Sequence, residues 1–216
     1  MATLVSQYRF ENGYTDTQGN DDMAAGGSGN TFSTSTVKEG TYSLAVNGSG
    51  WATKTTNFAT ITTGNADRSM GGWWYRPNFA ANDPFIAIGP ATALNAYQFR
   101  QNNSTTFLID LYTDQVSITV SAPSANTWFW CWCEYTASTK TSQFYINNVS
   151  QGSSAHASNS NLSAGKINVG YSFDNSTAND NGTFFDDVRI YNGVTTSGER
   201  STIFNVGANS GFFNFM

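Results

Sequence analysis

The chain has 216 residues, a formal net charge of -5, 15% aromatic residues and only 12% charged ones. A length near 200 suits one large all-β sandwich better than two ordinary domains, and so many aromatics exclude a disordered chain. Ten basic against fifteen acidic residues leave no cationic stripe for a phosphate backbone, which excludes nucleic acid as the main partner.

Asn, Ser, Thr and Gly carry the polarity, and these residues favour turns and strand surfaces over helix interiors. The first ten residues hold no basic region followed by an apolar run, so the chain reads as made in the cytosol; a secreted chain already trimmed of a leader reads the same way. No stretch approaches the ~18 apolar residues of a membrane span. Period-two alternation then recurs along the chain. Tyr42, Leu44 and Val46 alternate with Thr41, Ser43 and Ala45, and further strands are expected over 70–75, 85–88, 96–100, 106–112, 116–120, 127–135, 143–146, 166–171 and 184–191. Turn signals separate them, among them Asn47-Gly48, Asn147-Asn148 and Asn192-Gly193, while 26–30 reads as a glycine-rich loop. Near the end, Thr196-Ser197-Gly198-Glu199 matches a capping box, and Gly207 could close a helix of about two turns. The pattern predicts an all-β, two-sheet antiparallel jelly-roll sandwich over 1–206, with one short C-terminal helix, followed by an aromatic tail over 207–216.

Catalytic groups are scarce. The single histidine, His156, stands in a small-residue stretch with no evident Ser or Cys partner, and Asp186-Asp187 cannot flank one glycosidic bond if the two alternate across a strand. The chain therefore reads as a non-enzyme. Cys131 and Cys133 stand two apart on one strand, with Cα atoms about 6.7 Å apart, at the outer edge of disulfide geometry; free buried thiols are expected.

Three candidate sites remain. Asp16, Asn20 and Asp186 would come together if the first and last strands pair, either to hold a structural calcium ion or as plain turn chemistry, with Asp16 in an Asx turn and Asp186 bonded to loop amides. Trp51 follows the Asn47-Gly48-Ser49-Gly50 turn, near a loop where a ligand could meet it, whereas the runs Trp73-Trp74-Tyr75 and Trp128 to Trp132 send rings to both sheet faces and read chiefly as core or inter-subunit packing. Phe212, Phe213 and Phe215 are costly to leave in water and should pack either on the chain's own sandwich or on a partner.

Taken in order, Tyr8-Arg9-Phe10, Asp16 to Asn20, Gly40-Thr41-Tyr42-Ser43-Leu44, Met70-Gly71-Gly72-Trp73-Trp74-Tyr75, Gln143-Phe144-Tyr145-Ile146-Asn147 and Phe185-Asp186-Asp187-Val188-Arg189-Ile190-Tyr191 resemble a LamG-like (concanavalin A-like lectin/glucanase) jelly roll. The resemblance implies adjacent first and last strands and often a rim calcium near Asp16 and Asp186. Asn148 departs from it, standing where a hairpin glycine is usual. Such folds bind sugars, proteins or lipids, or serve as passive scaffolds. The uncharged polar composition and aromatic tail, which resemble those of phage structural proteins, favour a virion or particle surface protein. It would be a capsid decoration or fibre-associated subunit, assembling as a homo-oligomer with other particle proteins and contacting surface glycans. The alternative is a secreted or cell-surface calcium-dependent carbohydrate-binding or adhesin module.

Overall fold

The computed structural model describes residues 1–79, 82–174 and 178–209. Those residues form fifteen strands and one helix. The strands are β1 (Thr3–Tyr8), β2 (Ala24–Gly27), β3 (Thr31–Ser33), β4 (Ser43–Asn47), β5 (Gly50–Lys54), β6 (Arg68–Tyr75), β7 (Asp83–Ile88), β8 (Tyr97–Asn103), β9 (Thr106–Asp110), β10 (Gln115–Thr119), β11 (Trp128–Thr136), β12 (Thr141–Ile146), β13 (Val149–Ala155), β14 (Ile167–Val169) and β15 (Asn181–Asn192), and the helix is α1 (Ser197–Asn209).

The strands make two antiparallel sheets. One has eight strands in the order β13-β12-β11-β6-β15-β4-β3, with β1 paired to β15; the other has seven, β10-β9-β8-β7-β14-β5-β2. The first and last strands pair as expected, Tyr8 opposite Val188 and Thr3 opposite Asn192. Alternation decides what lies between the sheets. Trp74, Phe85, Phe99, Phe107, Phe129, Phe144 and Phe185 point inward, with Trp74 at 5.4 Å from Phe85 and Phe107 at 4.5 Å from Phe144 by ring centroids. Cys131 and Cys133 are free and buried in this core, as the spacing required. The Asn147-Asn148 turn joins β12 to β13 with both residues at positive φ, 49° and 62°, a conformation in which asparagine substitutes for the hairpin glycine.

Three expectations need correction. The helix is longer than two turns: it runs 13 residues, to Asn209, and passes through Gly207 instead of ending there. Its start is as read, since the Thr196 amide donates to Glu199 Oε2 at 2.7 Å and the Glu199 amide to Thr196 Oγ1 at 3.2 Å. Glycines 26 and 27 belong to strand β2, where a side chain at Gly26 would collide with the Trp51 indole at 2.0 Å. Finally, Asp186 and Asp187 do not simply alternate: a register shift between Asp186 and Arg189, with Asp187 at φ 45°, makes a bulge in which both carboxylates are buried. No helix among the described residues is long and apolar enough to cross a membrane.

Candidate functional site

The outward faces of the two sheets differ. On the eight-stranded sheet, Trp73, Trp130 and Trp132 project away from the main core, and α1 lies over them. Phe204 stacks on Trp73 at 5.6 Å and meets Trp130 edge-on at 5.7 Å, while Ile203 joins the same cluster. Polar contacts fix the helix start: Trp132 Nε1 donates to Thr195 Oγ1 at 3.0 Å, and Arg200 pairs with Glu134 at 2.9 Å while covering the Tyr145 ring at 3.9 Å. Trp130 and Trp132 are fully buried, so these rings are unavailable for stacking on a ligand.

Among the described residues, no helix lies on the outward face of the seven-stranded sheet. Inward Tyr97 and Phe99 of β8 leave Gln98 and Arg100 outward, and inward Phe107 and Ile109 of β9 leave Asp110 outward, opposite Gln98. Here the surface sinks into a cleft of about 290 Å³, walled by Tyr112 after β9 and by Ser172 to Asp174 after β14. Phe173 is held by its amide donating to Gln98 Oε1 at 3.4 Å and meets Tyr112 edge-on at 5.0 Å. Tyr112 is 38% exposed and sits at φ 82°, a left-handed conformation rare for a bulky residue and a source of local strain. Asp110 is only 5% exposed; its Oδ2 accepts from Gln115 Nε2 at 3.2 Å, while Oδ1 is buried without a hydrogen-bond partner. Burial raises its pKa, opposed by the Tyr112 backbone amide and the Arg100 charge. A second cavity of about 290 Å³ adjoins on the far side of Phe173 and Asp174, lined by Lys166, Thr55 and Asn57 among others.

Asp16, Asn20 and Asp186 occupy a different region. The Asp16 carboxylate accepts from the backbone amides of Gln7 (2.8 Å), Gln18 (3.0 Å), Asn20 (3.3 Å) and Asp21 (3.1 Å), so it organises its own loop. Asp186 Oδ2 accepts from the amides of Lys38 and Glu39 at 3.0 and 2.9 Å, and its Oδ1 has no partner. Among the described residues, no three carboxylate, imidazole or thiol side chains are grouped to hold a metal ion. Burial raises the Asp186 pKa and pushes Glu39, which accepts from Trp73 Nε1 at 3.2 Å, up to about 7, with Asp187 adding to the latter. Trp51 lies on β5, half-buried, with Tyr171 stacked on its ring at 3.9 Å and 8°. Phe212, Phe213 and Phe215 lie outside the described residues.

His156 does have a serine partner. Its Nε2 is 2.9 Å from Ser142 Oγ, and its Nδ1 is 3.7 Å from Asp114 Oδ1, an arrangement that sequence reading missed because the pairing of β12 with β13 brings Ser142 to His156, while Asp114 arrives from the turn between β9 and β10. Ser142 is fully buried and His156 is 2% exposed, so no substrate reaches the hydroxyl. Ser142 Oγ instead continues to the Tyr97 hydroxyl at 3.1 Å, which lies 3.1 Å from Cys133 Sγ. Such a network ties the sheets together without an accessible nucleophile.

No protein-family model and no curated protein matches the chain. Solved structures do. Domain 4 of an extracellular arabinanase from Geobacillus stearothermophilus, solved in complex with arabinotriose, superposes with a TM-score of 0.74 at 13% identity, covering 94% of this chain and 98% of that one. The likeness is one of fold. The binding domain of botulinum neurotoxin serotype G (TM-score 0.73, 14% identity) and the serotype D ligand-binding domain in complex with N-acetylneuraminic acid (0.71, 13%) match over 94% of this chain but only 51% of theirs. The chain thus spans about half the length of the neurotoxin domains it matches.

Proposed function

We propose that the chain is a non-catalytic carbohydrate-binding module that takes a glycan in the cleft on the open face of the seven-stranded sheet. One observation carries the reading: an accessible aromatic, Tyr112, stands beside a buried carboxylate, Asp110, in a polar recess on a face that no helix among the described residues covers. A sugar ring presents both an apolar face for the aromatic and hydroxyls for the carboxylate. The fold likeness to domains solved with arabinotriose and with N-acetylneuraminic acid supports it. A particle-surface role finds no support in those likenesses, which favour the carbohydrate-binding alternative.

The reading entails a secreted or cell-surface setting. Calcium is not needed for this cleft, and the amides already bonded to Asp16 favour turn chemistry over an ion there. The melting temperature should therefore be the same in calcium and in chelator; a calcium-dependent rise would restore the ion. The function itself is tested by glycan-array binding of the wild-type chain and of Tyr112→Ala. Binding that the substitution abolishes supports the cleft, and absence of binding to any glycan removes the reading.

A further inference from the structure

The cleft carries enough chemistry to say which glycans suit it. Arg100 and Asp110 sit on the same face of neighbouring strands, Arg100 opposite Leu108 and Asp110 opposite Gln98, which makes them diagonal neighbours about 7 Å apart at Cβ. Arg100 Nη1 donates to Asn82 Oδ1, leaving its buried Nε without a partner, and Asp110 leaves Oδ1 without one. Both side chains line a single recess, with these two atoms themselves buried in its wall. A ligand that suits such a wall must offer hydrogen-bond donors and acceptors together.

Adjacent hydroxyls on a sugar ring are such groups, because each both donates and accepts. One can donate to the Asp110 carboxylate while its neighbour accepts from the Arg100 guanidinium. A ligand carboxylate offers acceptors only, so it satisfies the arginine and repels the aspartate. Charge points the same way: among the described lining residues the single cation, Arg100, stands beside two carboxylates, Asp110 and Asp174, in a chain of net charge -5. Ser172 Oγ, 2.5 Å from Asp174 Oδ1, fixes the second carboxylate at the wall.

We infer that this cleft selects neutral glycans over acidic ones, with Asp110 as hydroxyl acceptor and Arg100 as donor; the inference rests on the carbohydrate-binding reading. It separates the two kinds of ligand found in the structural neighbours, since arabinotriose is neutral and N-acetylneuraminic acid is anionic.

The test is calorimetric titration of the full chain with neutral oligosaccharides (arabino-, xylo- and gluco-oligosaccharides) and acidic ones (sialyllactose and oligogalacturonate). The expected result is a neutral ligand at least about tenfold tighter than any acidic one, weakened roughly tenfold to a hundredfold by Asp110→Asn with little change in melting. Arg100→Gln, at a half-buried position, should weaken the same ligand and serves in place of Asp110→Asn if that variant does not fold. Tighter binding of an acidic glycan would overturn the selectivity while leaving the module a glycan binder. Neutral binding untouched by either substitution would overturn the assignment of these residues. No binding in either class would overturn the carbohydrate-binding reading together with the inference.

Discussion

The two outward sheet faces are built by the same alternation and end in opposite states. On the eight-stranded sheet, alternation projects Trp73, Trp130 and Trp132, and a helix following the last strand covers them and ties down its first turn through Thr195 and Arg200. On the seven-stranded sheet, alternation projects Gln98, Arg100 and Asp110, no helix among the described residues covers them, and a cleft remains. Aromatic content alone therefore does not mark a sugar site in this fold. The rings that dominate the sequence make a second core, and the proposed recognition surface has few aromatics, Tyr112 and Phe173, among polar side chains.

Substitutions on the two faces should separate this contrast. The largest effect belongs to Trp130→Ala, which removes a fully buried indole from beneath α1 and should lower stability by about 3–5 kcal/mol in chemical denaturation. A loss below about 1 kcal/mol would mean that the helix does not seal this face. Next comes Glu39→Gln, beside Trp73 on the same closed face. Burial pushes the Glu39 pKa up from its ordinary 4.5 to about 7, so the folded chain prefers the neutral carboxyl. Its favourable contribution is complete below about pH 4.5 and is lost as pH rises toward 7. Glutamine should accordingly stabilise the protein at pH 8 relative to wild type, by up to a few kcal/mol, with the difference shrinking to nothing near pH 4. A pH-independent difference would show that Glu39 is not held neutral. Tyr112→Ala, on the open face, should change stability least, by less than about 0.5 kcal/mol, because the ring is already 38% exposed.

The contrast also shows where the sequence was readable. Alternation such as Tyr42, Leu44 and Val46 is a local signal, and the longer strands, the two-sheet arrangement, the free cysteines and the capping box at Thr196 follow from local signals of that kind, whereas β2, β3, β5 and β13, rich in glycine and small polar residues, gave none. What closes a sheet face is not local. The spacing of Trp130 and Trp132 says that they point together but not that a helix some 70 residues later covers them. Gly207, a stop signal in isolation, is overridden within α1. Asp110 and Tyr112 stood at the end of an apolar run and read as strand, although an acidic residue in Phe107-Leu108-Ile109-Asp110-Leu111 was a signal that could have been weighed. Trp51, chosen because it followed a glycine-rich turn, packs over Gly26 and has Tyr171 on its ring, contacts that its place after that turn did not announce. The bulge at Asp186 and Asp187, and the Ser142–His156 contact, depend on strand register, which no residue type declares by itself.

The central claim is that glycan recognition belongs to the open face and not to the tryptophan-rich one. The most direct measurement compares glycan binding by wild type and Tyr112→Ala at matched folding, judged by identical melting curves. Binding by the wild type that is lost in the variant is the predicted result; binding retained in full by Tyr112→Ala would contradict it.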